Sequence, residues 1–289
     1  LILRDCEERG AYGVAEKVRK EVEAMIFHWE GENFRVGTSI GLVTVSSVQG
    51  DASEILRSAD AACFAAKDQG RNRVYQVQEN DEKLAKAQGE MHWVNRIQRA
   101  LENDEFVLYA QPIVPLQPST SVPRMEILVR LRDFENRRLV PPGAFLASAE
   151  RYGLSTRLDR WVTQNLIRHL KAYKEVFSDE ACYWINLSGH SLSDQTFLTE
   201  LEREIVSANL GVGALNFEVT ETAVIADLPT AIAAMKRLKS LGCRFALDDF
   251  GSGLSSFGYL RDLPVDFVKI DGAFVRNLLT DELDRIFVQ

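Results

Sequence analysis

The chain has 289 residues and an acidic composition, with 42 Asp and Glu residues against 34 Lys and Arg and a formal net charge of −8 at pH 7. This balance disfavours a groove that binds a nucleic-acid polymer through counterion release, although a metal site can still bind a small anionic ligand. No run of about 18 apolar residues and no signal-peptide pattern occurs, so we expect a soluble, cytoplasmic segment. The parent protein could still be anchored in the inner membrane by another segment. Four cysteines without CxxC spacing predict reduced thiols in the core: Cys6, Cys63, Cys182 and Cys243.

Residues 1–80 have the pattern of a small α+β unit. Valine and isoleucine recur at helical spacing among charged residues over 11–26, which predicts an amphipathic helix. A stretch rich in β-branched residues follows at 34–46, a second helix is predicted for 52–68, and a short strand for 73–77. The unit ends where a charged run begins, and residues 81–90 are predicted to form a helical linker.

Residues 91–289 show short apolar runs that alternate with helical segments. The runs are FVLYAQPIV, MEILVRL, CYWINLS, LNFEVTE, RFALDD and FVKID. Helices are predicted between them at 142–151, 158–173, 197–208 and 230–241. The alternation is typical of a parallel α/β barrel or a doubly wound sheet. Polar residues collect late in the runs, as in a barrel whose site lies at the carboxyl ends of the strands.

Two carboxylates stand side by side where the fifth of these runs ends. Asp248 and Asp249 follow the apolar residues 245–247 and precede a loop that contains glycine, and Lys269 lies on the next run. Divalent ions bound by an acidic pair neutralise a phosphate, while a lysine can orient or polarise a water. Hydrolysis of a phosphate ester is therefore the first functional hypothesis, with a small nucleotide favoured over a polymer.

Six motifs follow one another through the second unit: YAQPIV, Glu126-Ile127-Leu128, INLS, FEVTET, DDFGSG and VDFVKID. In this order they resemble the EAL family of cyclic-di-GMP phosphodiesterases, with isoleucine where the family signature has alanine. The resemblance implies a modified (β/α)8 TIM-like barrel of the α/β class. It also implies hydrolysis of cyclic-di-GMP to linear pGpG in bacterial second-messenger signalling.

The first unit carries SIG at 39–41 and ADAACFAAKDQGRNRV at 59–74. These motifs resemble the C-terminal half of a GGDEF diguanylate cyclase domain, which implies a partial α+β domain with a regulatory or vestigial role. By the same resemblance, the GGDEF motif is expected before Leu1, and two further barrel strands, one with a glutamate, are expected after Gln289. We therefore expect an incomplete barrel in residues 91–289, and little or no activity from this segment alone.

The EAL resemblance also implies a metal site with two Mg²⁺ or Mn²⁺ ions and inhibition by Ca²⁺, and every implied ligand is an oxygen donor. Four residues would hold the first ion: Glu126, Asn186, Glu218 and Asp248. Asp249 would hold the second ion, and Lys269 would lie near the attacking water; both count as catalytic. Simpler roles stay open, namely a strand-end cap for Asn186, a solvated loop or helix N-cap for the acids after Glu126, and a structural ion pair for Lys269.

Further matched positions imply contacts with the dinucleotide. The substrate-binding residues would be Gln111, Leu128, Arg130 and Asp266. Arg130 suits a phosphate because a guanidinium holds two oxygens in one geometry, and Asp266 would accept from a guanine edge. Ordinary barrel lining is the alternative for each of the four. Glu221 matches a family glutamate that tethers the loop 250–256 after Asp249.

The expected partners are cyclic-di-GMP, a second copy of the chain bound through the barrel domain, and sensor domains upstream in the parent protein. The alternative function is a non-catalytic cyclic-di-GMP receptor or regulatory module. Degenerate receptors of this kind usually lack some of the ligand carboxylates, which this sequence keeps as far as it extends.

Overall fold

The computed structural model describes residues 1–29, 32–45, 52–78, 82–116, 122–173, 181–251 and 257–288. The chain divides into two compact units, Leu1–Arg96 and Ile97–Gln289. Among the helices in these ranges, none has both the length and the apolar character that crossing a membrane requires. The predicted limits at residues 80 and 91 stay predictions.

Before Glu82, the described residues of the first unit form two helices and four short strands. In chain order they are α1 (Glu8–Ala24), β1 (Ile26–Trp29), β2 (Glu32–Arg35), β3 (Ile40–Leu42), α2 (Ala52–Asp68) and β4 (Val74–Gln76). The stretch predicted as strand-rich at 34–46 belongs to two different sheets, because β2 forms an antiparallel hairpin with β1 whereas β3 pairs in parallel with β4. The predicted helix at 11–26 begins three residues earlier and ends at Ala24, since Met25 is extended (φ −68, ψ 133).

Helix α2 connects the parallel strands β3 and β4 and packs closely on them. Ala61 and Ala62 are buried on the strand side of the helix, with Tyr75 packed against them. Gly41 lies so near α2 that a Cβ atom at this position would collide with the backbone of Ala59 and Cys63. Small residues on both sides of the contact therefore allow the helix to lie close to the strand.

The second unit alternates strands and helices. Its strands are β5 (Phe106–Pro112), β6 (Arg124–Asp133), β7 (Arg138–Val140), β8 (Cys182–Asn186), β9 (Leu215–Thr220), β10 (Phe245–Phe250) and β11 (Phe267–Ile270). Its helices are α3 (Glu82–Glu102), which begins in the first unit, α4 (Leu146–Arg151), α5 (Ser155–Ala172), α6 (Gly189–Ser193), α7 (Gln195–Ala208), α8 (Glu221–Ala226), α9 (Leu228–Lys239), α10 (Gly272–Arg276) and α11 (Glu282–Val288). The four helices predicted from the sequence correspond to α4, α5, α7 and α9.

The strands of the second unit form one sheet in the order β11-β10-β9-β8-β6-β5, with β7 paired to β6. Strands β6, β8, β9, β10 and β11 are parallel, as the alternation predicted. Strand β5 runs antiparallel to β6, and so does the short β7. The sequence pattern did not distinguish these two antiparallel strands from the parallel ones.

Residues of alternating parity face opposite sides of each strand, and this alternation separates the core from the site. On β9, Phe217 and Val219 share one face, while Asn216 and Glu218 share the other. On β6, Ile127 and Val129 are buried, whereas Glu126, Leu128 and Arg130 on the other face are partly exposed. One face of the strands therefore packs into the apolar core, and the other face carries the polar side chains of the site.

The cysteines only partly follow the prediction. Cys182 and Cys243 are buried and Cys63 is partly buried, but Cys6 is exposed in the turn before α1. The prediction of a core thiol is wrong for Cys6, because the residues around it are themselves exposed.

Phe217→Ala should lower the free energy of unfolding of the second unit by about 3–5 kcal/mol, since it removes a fully buried ring and leaves a cavity in its place. The ring of Phe245 packs against that of Phe217 with centroids 5.6 Å apart. Thermal unfolding followed by near-UV circular dichroism measures the change. Phe134→Ala removes the same ring at a position that is 62% exposed and should change stability by less than about 0.5 kcal/mol. Equal destabilisation by the two variants would contradict this account of the core.

Candidate active site

One lysine and three carboxylates from four parallel strands meet on one side of the curved sheet. The Lys269 ammonium on β11 donates hydrogen bonds to Glu218 on β9 and to Asp248 Oδ2 on β10, the latter at 3.0 Å. Its Nζ atom is also 3.6 Å from Glu126 Oε2 on β6. Asn186, the last residue of β8, donates from its side-chain amide to Glu126 Oε1 at 3.2 Å. We call these five residues the Lys269 cluster.

The Lys269 cluster shows that the sheet is strongly curved. Strand β11 is four strand spacings from β6 in the sheet order, which is about 19 Å across a flat sheet. A lysine side chain cannot bridge that span, so the contact between Lys269 and Glu126 requires that the sheet curl toward a barrel. The rings of Trp184 on β8 and Phe267 on β11 support this, because their centroids lie 5.3 Å apart although two strands separate them.

These aromatic rings lie directly below the cluster. Trp184 precedes Asn186 by two residues and Phe267 precedes Lys269 by two, so each pair shares a strand face. The guanidinium of Arg124, two residues before Glu126, lies 5.4 Å from the centroid of Phe267. The interior of the barrel therefore has an aromatic layer with the charged cluster above it, nearer the carboxyl ends of the strands.

Burial is uneven across the cluster, and the pKa values follow it. The Glu218 side chain is 1% exposed, against 21% for Asp248 and 31% for Lys269. Burial raises the pKa of Glu218 to about 7; the Lys269 ammonium opposes this rise, and the charges of Glu126 and Asp248 add to it. Burial by itself would lower the pKa of Lys269, but hydrogen bonds and charges from Glu218 and Asp248 outweigh it, so that pKa is raised. Lys269 therefore carries a positive charge and is surrounded by carboxylates that accept hydrogen bonds from it.

The cluster has the donor chemistry of a site for a hard divalent cation. Its three carboxylates and the Asn186 amide supply oxygen ligands, which Mg²⁺ and Mn²⁺ prefer. The Lys269 ammonium stands at the point on which the carboxylates converge, where a bound cation would be balanced by the same charges. Within the described part of the chain, no group of three acidic, histidine or cysteine side chains is arranged to hold a metal ion as it stands. A divalent cation bound there would take the place that the Lys269 ammonium occupies beside Glu218.

Asp249 lies beside the cluster rather than in it. Its φ of 53° is in the left-handed region, which aspartate adopts more readily than most residues, and its N–H donates to Asp248 Oδ1 at 3.0 Å. Partial burial and the charges of Asp248 and Asp271 raise the pKa of Asp249, against the effect of Lys269. Asp271, which the sequence analysis gave no role, caps α10 by accepting from the N–H of Ala273 at 2.6 Å.

Glu221, the predicted loop tether, contacts Gly251 and Tyr259. It is buried at the start of α8, and its Oε2 accepts from the N–H of Gly251 at 3.0 Å. Its other oxygen accepts from the hydroxyl of Tyr259. Burial and the bond to Glu221 raise the pKa of that hydroxyl. Glu221 thus contacts residues on both sides of the predicted loop, of which residues 252–256 lie outside the described residues; Tyr259 was not foreseen from the sequence.

Three of the four predicted substrate residues lie on the strands next to the cluster. Leu128 and Arg130 follow Glu126 on the same face of β6, and Gln111 pairs with Glu126 across the β5–β6 ladder. The Arg130 guanidinium lies 5.9 Å from the ring centroid of Tyr109 and donates to the carbonyl of Val129 at 2.9 Å. These residues extend the polar face of β6 beyond the cluster.

The structure does not bring Asp266 to this group. It lies just before β11, beside Phe245 at the beginning of β10, and its Oδ2 accepts from the Phe245 N–H at 2.9 Å. Its Oδ1 is 2.6 Å from Lys239 Nζ. Asp266 is therefore at the opposite end of the strands from the cluster, about 10 Å along β11 from Lys269. Both of its oxygens bind groups of the same chain at that end of the strands, away from the Lys269 cluster.

Two domain families match the chain. The EAL domain model matches residues 94–289, and the model of the GGDEF domain of diguanylate cyclases matches residues 1–73. The cyclic di-GMP phosphodiesterase PdeB of Shewanella oneidensis is 36% identical over 285 residues, which cover 98% of this chain and 33% of that protein. The cyclic di-GMP phosphodiesterase PdeF of Escherichia coli is 33% identical over 216 residues, which cover 75% of this chain and 27% of that protein. The chain thus spans about one third of the length of PdeB and less than one third of the length of PdeF.

Solved structures resemble the second unit. The FimX EAL domain from Pseudomonas aeruginosa bound to c-di-GMP matches 68% of this chain and 77% of that chain, with a TM-score of 0.61 and 32% identity. The PaMucR phosphodiesterase in its c-di-GMP complex matches 68% of this chain and 79% of that chain, with a TM-score of 0.62 and 27% identity. The likeness to these TIM-barrel-like domains confirms the fold class predicted from the sequence.

The raised pKa of Glu218 predicts how the free energy of unfolding depends on pH when a chelator keeps the protein free of metal. The folded-state value of about 7 lies above the ordinary value of 4.5, so the folded chain keeps a proton that the unfolded chain has lost. This contribution is complete below about pH 4.5, is lost as the pH rises through 7, and amounts to about 3 kcal/mol at most. The raised pKa of Lys269 keeps its own contribution constant over this range.

Glu218→Gln should therefore weaken the fall in melting temperature between pH 5 and pH 8. Glu135→Gln, an exposed acid in the β6–β7 turn, is the matched control and should keep the dependence of the unaltered chain. Melting curves at several pH values in EDTA decide the matter. Parallel pH profiles for the unaltered chain and Glu218→Gln would contradict the proposed protonation.

Proposed function

Because the chain belongs to the EAL domain family and carries a GGDEF-type segment ahead of its barrel, we propose that it hydrolyses cyclic-di-GMP to the linear dinucleotide pGpG. The observation that carries this proposal is the convergence of Glu126, Glu218 and Asp248 on one cationic centre at the carboxyl ends of the strands. Support comes from PdeB and PdeF, both named cyclic di-GMP phosphodiesterases, and from the FimX and PaMucR structures, which hold c-di-GMP.

The proposed cofactors are two Mg²⁺ or Mn²⁺ ions, with Ca²⁺ as an inhibitor. Glu126, Asn186, Glu218 and Asp248 would hold one ion, and Asp249 would contribute to the second. Such ions supply charge neutralisation for the phosphodiester and make a water more acidic. Asp248 and Asp249 are adjacent where the β10–β11 ladder is irregular, and Asp249 has a left-handed φ there.

Lys269 has two tasks in this proposal. Before a divalent cation binds, its ammonium balances Glu218 and Asp248 and keeps the carboxylates together. Once displaced from Glu218, the protonated amine can donate to the attacking water or to a phosphoryl oxygen, because it stays charged among acids. Lys269 would therefore orient and polarise the water or the phosphoryl group, and a carboxylate would accept the proton of the water.

Arg130 and its neighbours would hold the substrate. The Arg130 guanidinium lies beside the Tyr109 ring on the polar face of β6, a short distance beyond Glu126, and it can hold two phosphate oxygens. Gln111 and Leu128 flank that face and would line the dinucleotide. Glu221 would fix the chain after Asp249 through Gly251 and Tyr259. The same proposal includes a homodimer through the barrel unit, sensor domains elsewhere in the parent protein, and a cytoplasmic location.

The direct test is the reaction itself. The protein, together with any residues that flank Leu1–Gln289 in its native form, should convert cyclic-di-GMP to pGpG in Mg²⁺ or Mn²⁺, as followed by chromatography. Ca²⁺ should support binding with little turnover, since its longer and looser coordination aligns the reacting groups less well. If no linear product forms with either metal while cyclic-di-GMP binding is still measurable by calorimetry, the protein is a cyclic-di-GMP receptor and not an enzyme.

Glu126→Ala should reduce turnover by at least about 100-fold while leaving the melting temperature unchanged or slightly higher. The rise would come from relief of repulsion between Glu126 and the buried Glu218, which share one ammonium. Substrate affinity should fall less than the rate, because Arg130 and Gln111 remain. The control is Glu135→Ala, which removes an exposed carboxylate outside the cluster. A clear drop in melting temperature with most of the activity retained would make Glu126 a structural ion-pair partner instead.

A further inference from the structure

A buried aspartate outside the Lys269 cluster contacts the turn that follows Asn186. Asp159 lies in the second turn of α5, where it is 9% exposed. Its Oδ2 atom accepts three hydrogen bonds from that turn: from the N–H of Ser188 at 2.9 Å, from the hydroxyl of Ser188 at 2.7 Å, and from the hydroxyl of Ser191 at 2.6 Å. One carboxylate oxygen thus organises the whole turn between β8 and α6.

Retaining an acid at this position is costly. Burial raises the pKa of Asp159, and the bonds from Ser191 and Ser188 only partly offset that rise. Burying a carboxylate costs several kcal/mol before its hydrogen bonds are counted, and an apolar residue of similar size often stabilises a core better. The arrangement therefore provides geometric definition of the turn more than it provides stability.

Neighbouring contacts hold the same turn from other sides. Ser155, one helical turn before Asp159, has its hydroxyl 3.3 Å from His190 Nδ1. The N–H of Leu187 donates to the carbonyl of Glu218 on β9 at 2.8 Å. The turn is therefore fixed to α5 on one side and to a member of the Lys269 cluster on the other.

Asn186 depends on this turn because it is the last residue of β8. Its side chain is exposed, and its amide makes a 3.2 Å bond to Glu126. Asn186 is paired with Glu218 in the β8–β9 ladder, and the turn that begins at Leu187 holds the free end of this pairing in place. A ligand displaced by about 1 Å is enough to weaken a metal site.

We propose that Asp159 is a positioning residue whose carboxylate fixes the β8–α6 turn so that Asn186 presents its amide oxygen to the cation held by Glu126, Glu218 and Asp248. This inference rests on the proposed function, because it takes the cluster to be a metal site. Asp159 itself touches neither the cation nor the substrate.

The test compares three variants by Mn²⁺ binding, measured on the metal alone by calorimetry or electron paramagnetic resonance below the melting temperature of each protein. Asp159→Leu replaces the carboxylate by a larger apolar group with the same branching, which removes the acceptor and should raise the Mn²⁺ Kd by about 10-fold or more. Asp159→Asn keeps an acceptor oxygen and should stay within about threefold of the unaltered protein. In steady-state assays, Asp159→Leu should raise the metal requirement and lower kcat with little change in KM for the dinucleotide.

Thr163→Val is the matched control, one turn further along α5. Thr163 is buried, and among the residues that the structure describes its hydroxyl donates to the carbonyls of Asp159 and Arg160 in its own helix. The Thr163→Val variant should be less stable than the unaltered protein but should bind Mn²⁺ with the same affinity. If Asp159→Leu does not fold, the double variant Ser188→Ala with Ser191→Ala removes two of the three donors and should raise the Kd in the same direction.

The possible outcomes separate this inference from the proposed function. Mn²⁺ binding by the unaltered protein that Asp159→Leu, or the double serine variant, leaves unchanged overturns the positioning role alone. Absence of Mn²⁺ binding to the unaltered protein overturns the metal site and this inference with it. A raised Kd that Asp159→Asn restores, with Thr163→Val unaffected, supports the positioning role.

Discussion

The bond from the Lys269 ammonium to two strand-end carboxylates is the interaction on which the rest of the structure depends. It joins β11 to β9 and β10, and through Glu126 it reaches β6, so the sheet has to curl for it to form. The same cation allows three acids to lie together, one of them fully buried, which like-charge repulsion would otherwise prevent. Curvature of the barrel and chemistry of the site therefore have one physical cause.

Three buried carboxylates around the site are satisfied in three different ways. Glu218 binds an ammonium, Glu221 binds a backbone N–H and a tyrosine hydroxyl, and Asp159 binds one N–H and two serine hydroxyls. Only the first is paired with a cation that a metal could replace. The other two bind groups that stay in place when charge enters the site, so they suit a framework that holds ligands and loop still.

The family resemblance implied the set of metal ligands, and the sheet order explains how its members can meet. Glu126, Asn186, Glu218 and Asp248 lie on four neighbouring parallel strands, so curling of the sheet brings them together. The position of Asp266 could not be foreseen, because a motif gives spacing along the chain but not the end of the strand at which a side chain lies. Asp159 escaped notice because an aspartate in an amphipathic helix has the pattern of a solvated residue. Antiparallel β5 likewise has the same apolar pattern as its parallel neighbours.

Whether the Lys269 cluster is a cation site can be decided by a crystal structure grown with Mn²⁺, in which anomalous scattering locates the metal. We expect an anomalous peak bound by oxygens of Glu126, Asn186, Glu218 and Asp248, with the Lys269 ammonium moved off Glu218 toward the adjacent solvent or phosphate position. If Lys269 still bridges Glu218 and Asp248, and manganese is bound elsewhere or not at all, the cluster is a structural ion pair and not a cation site.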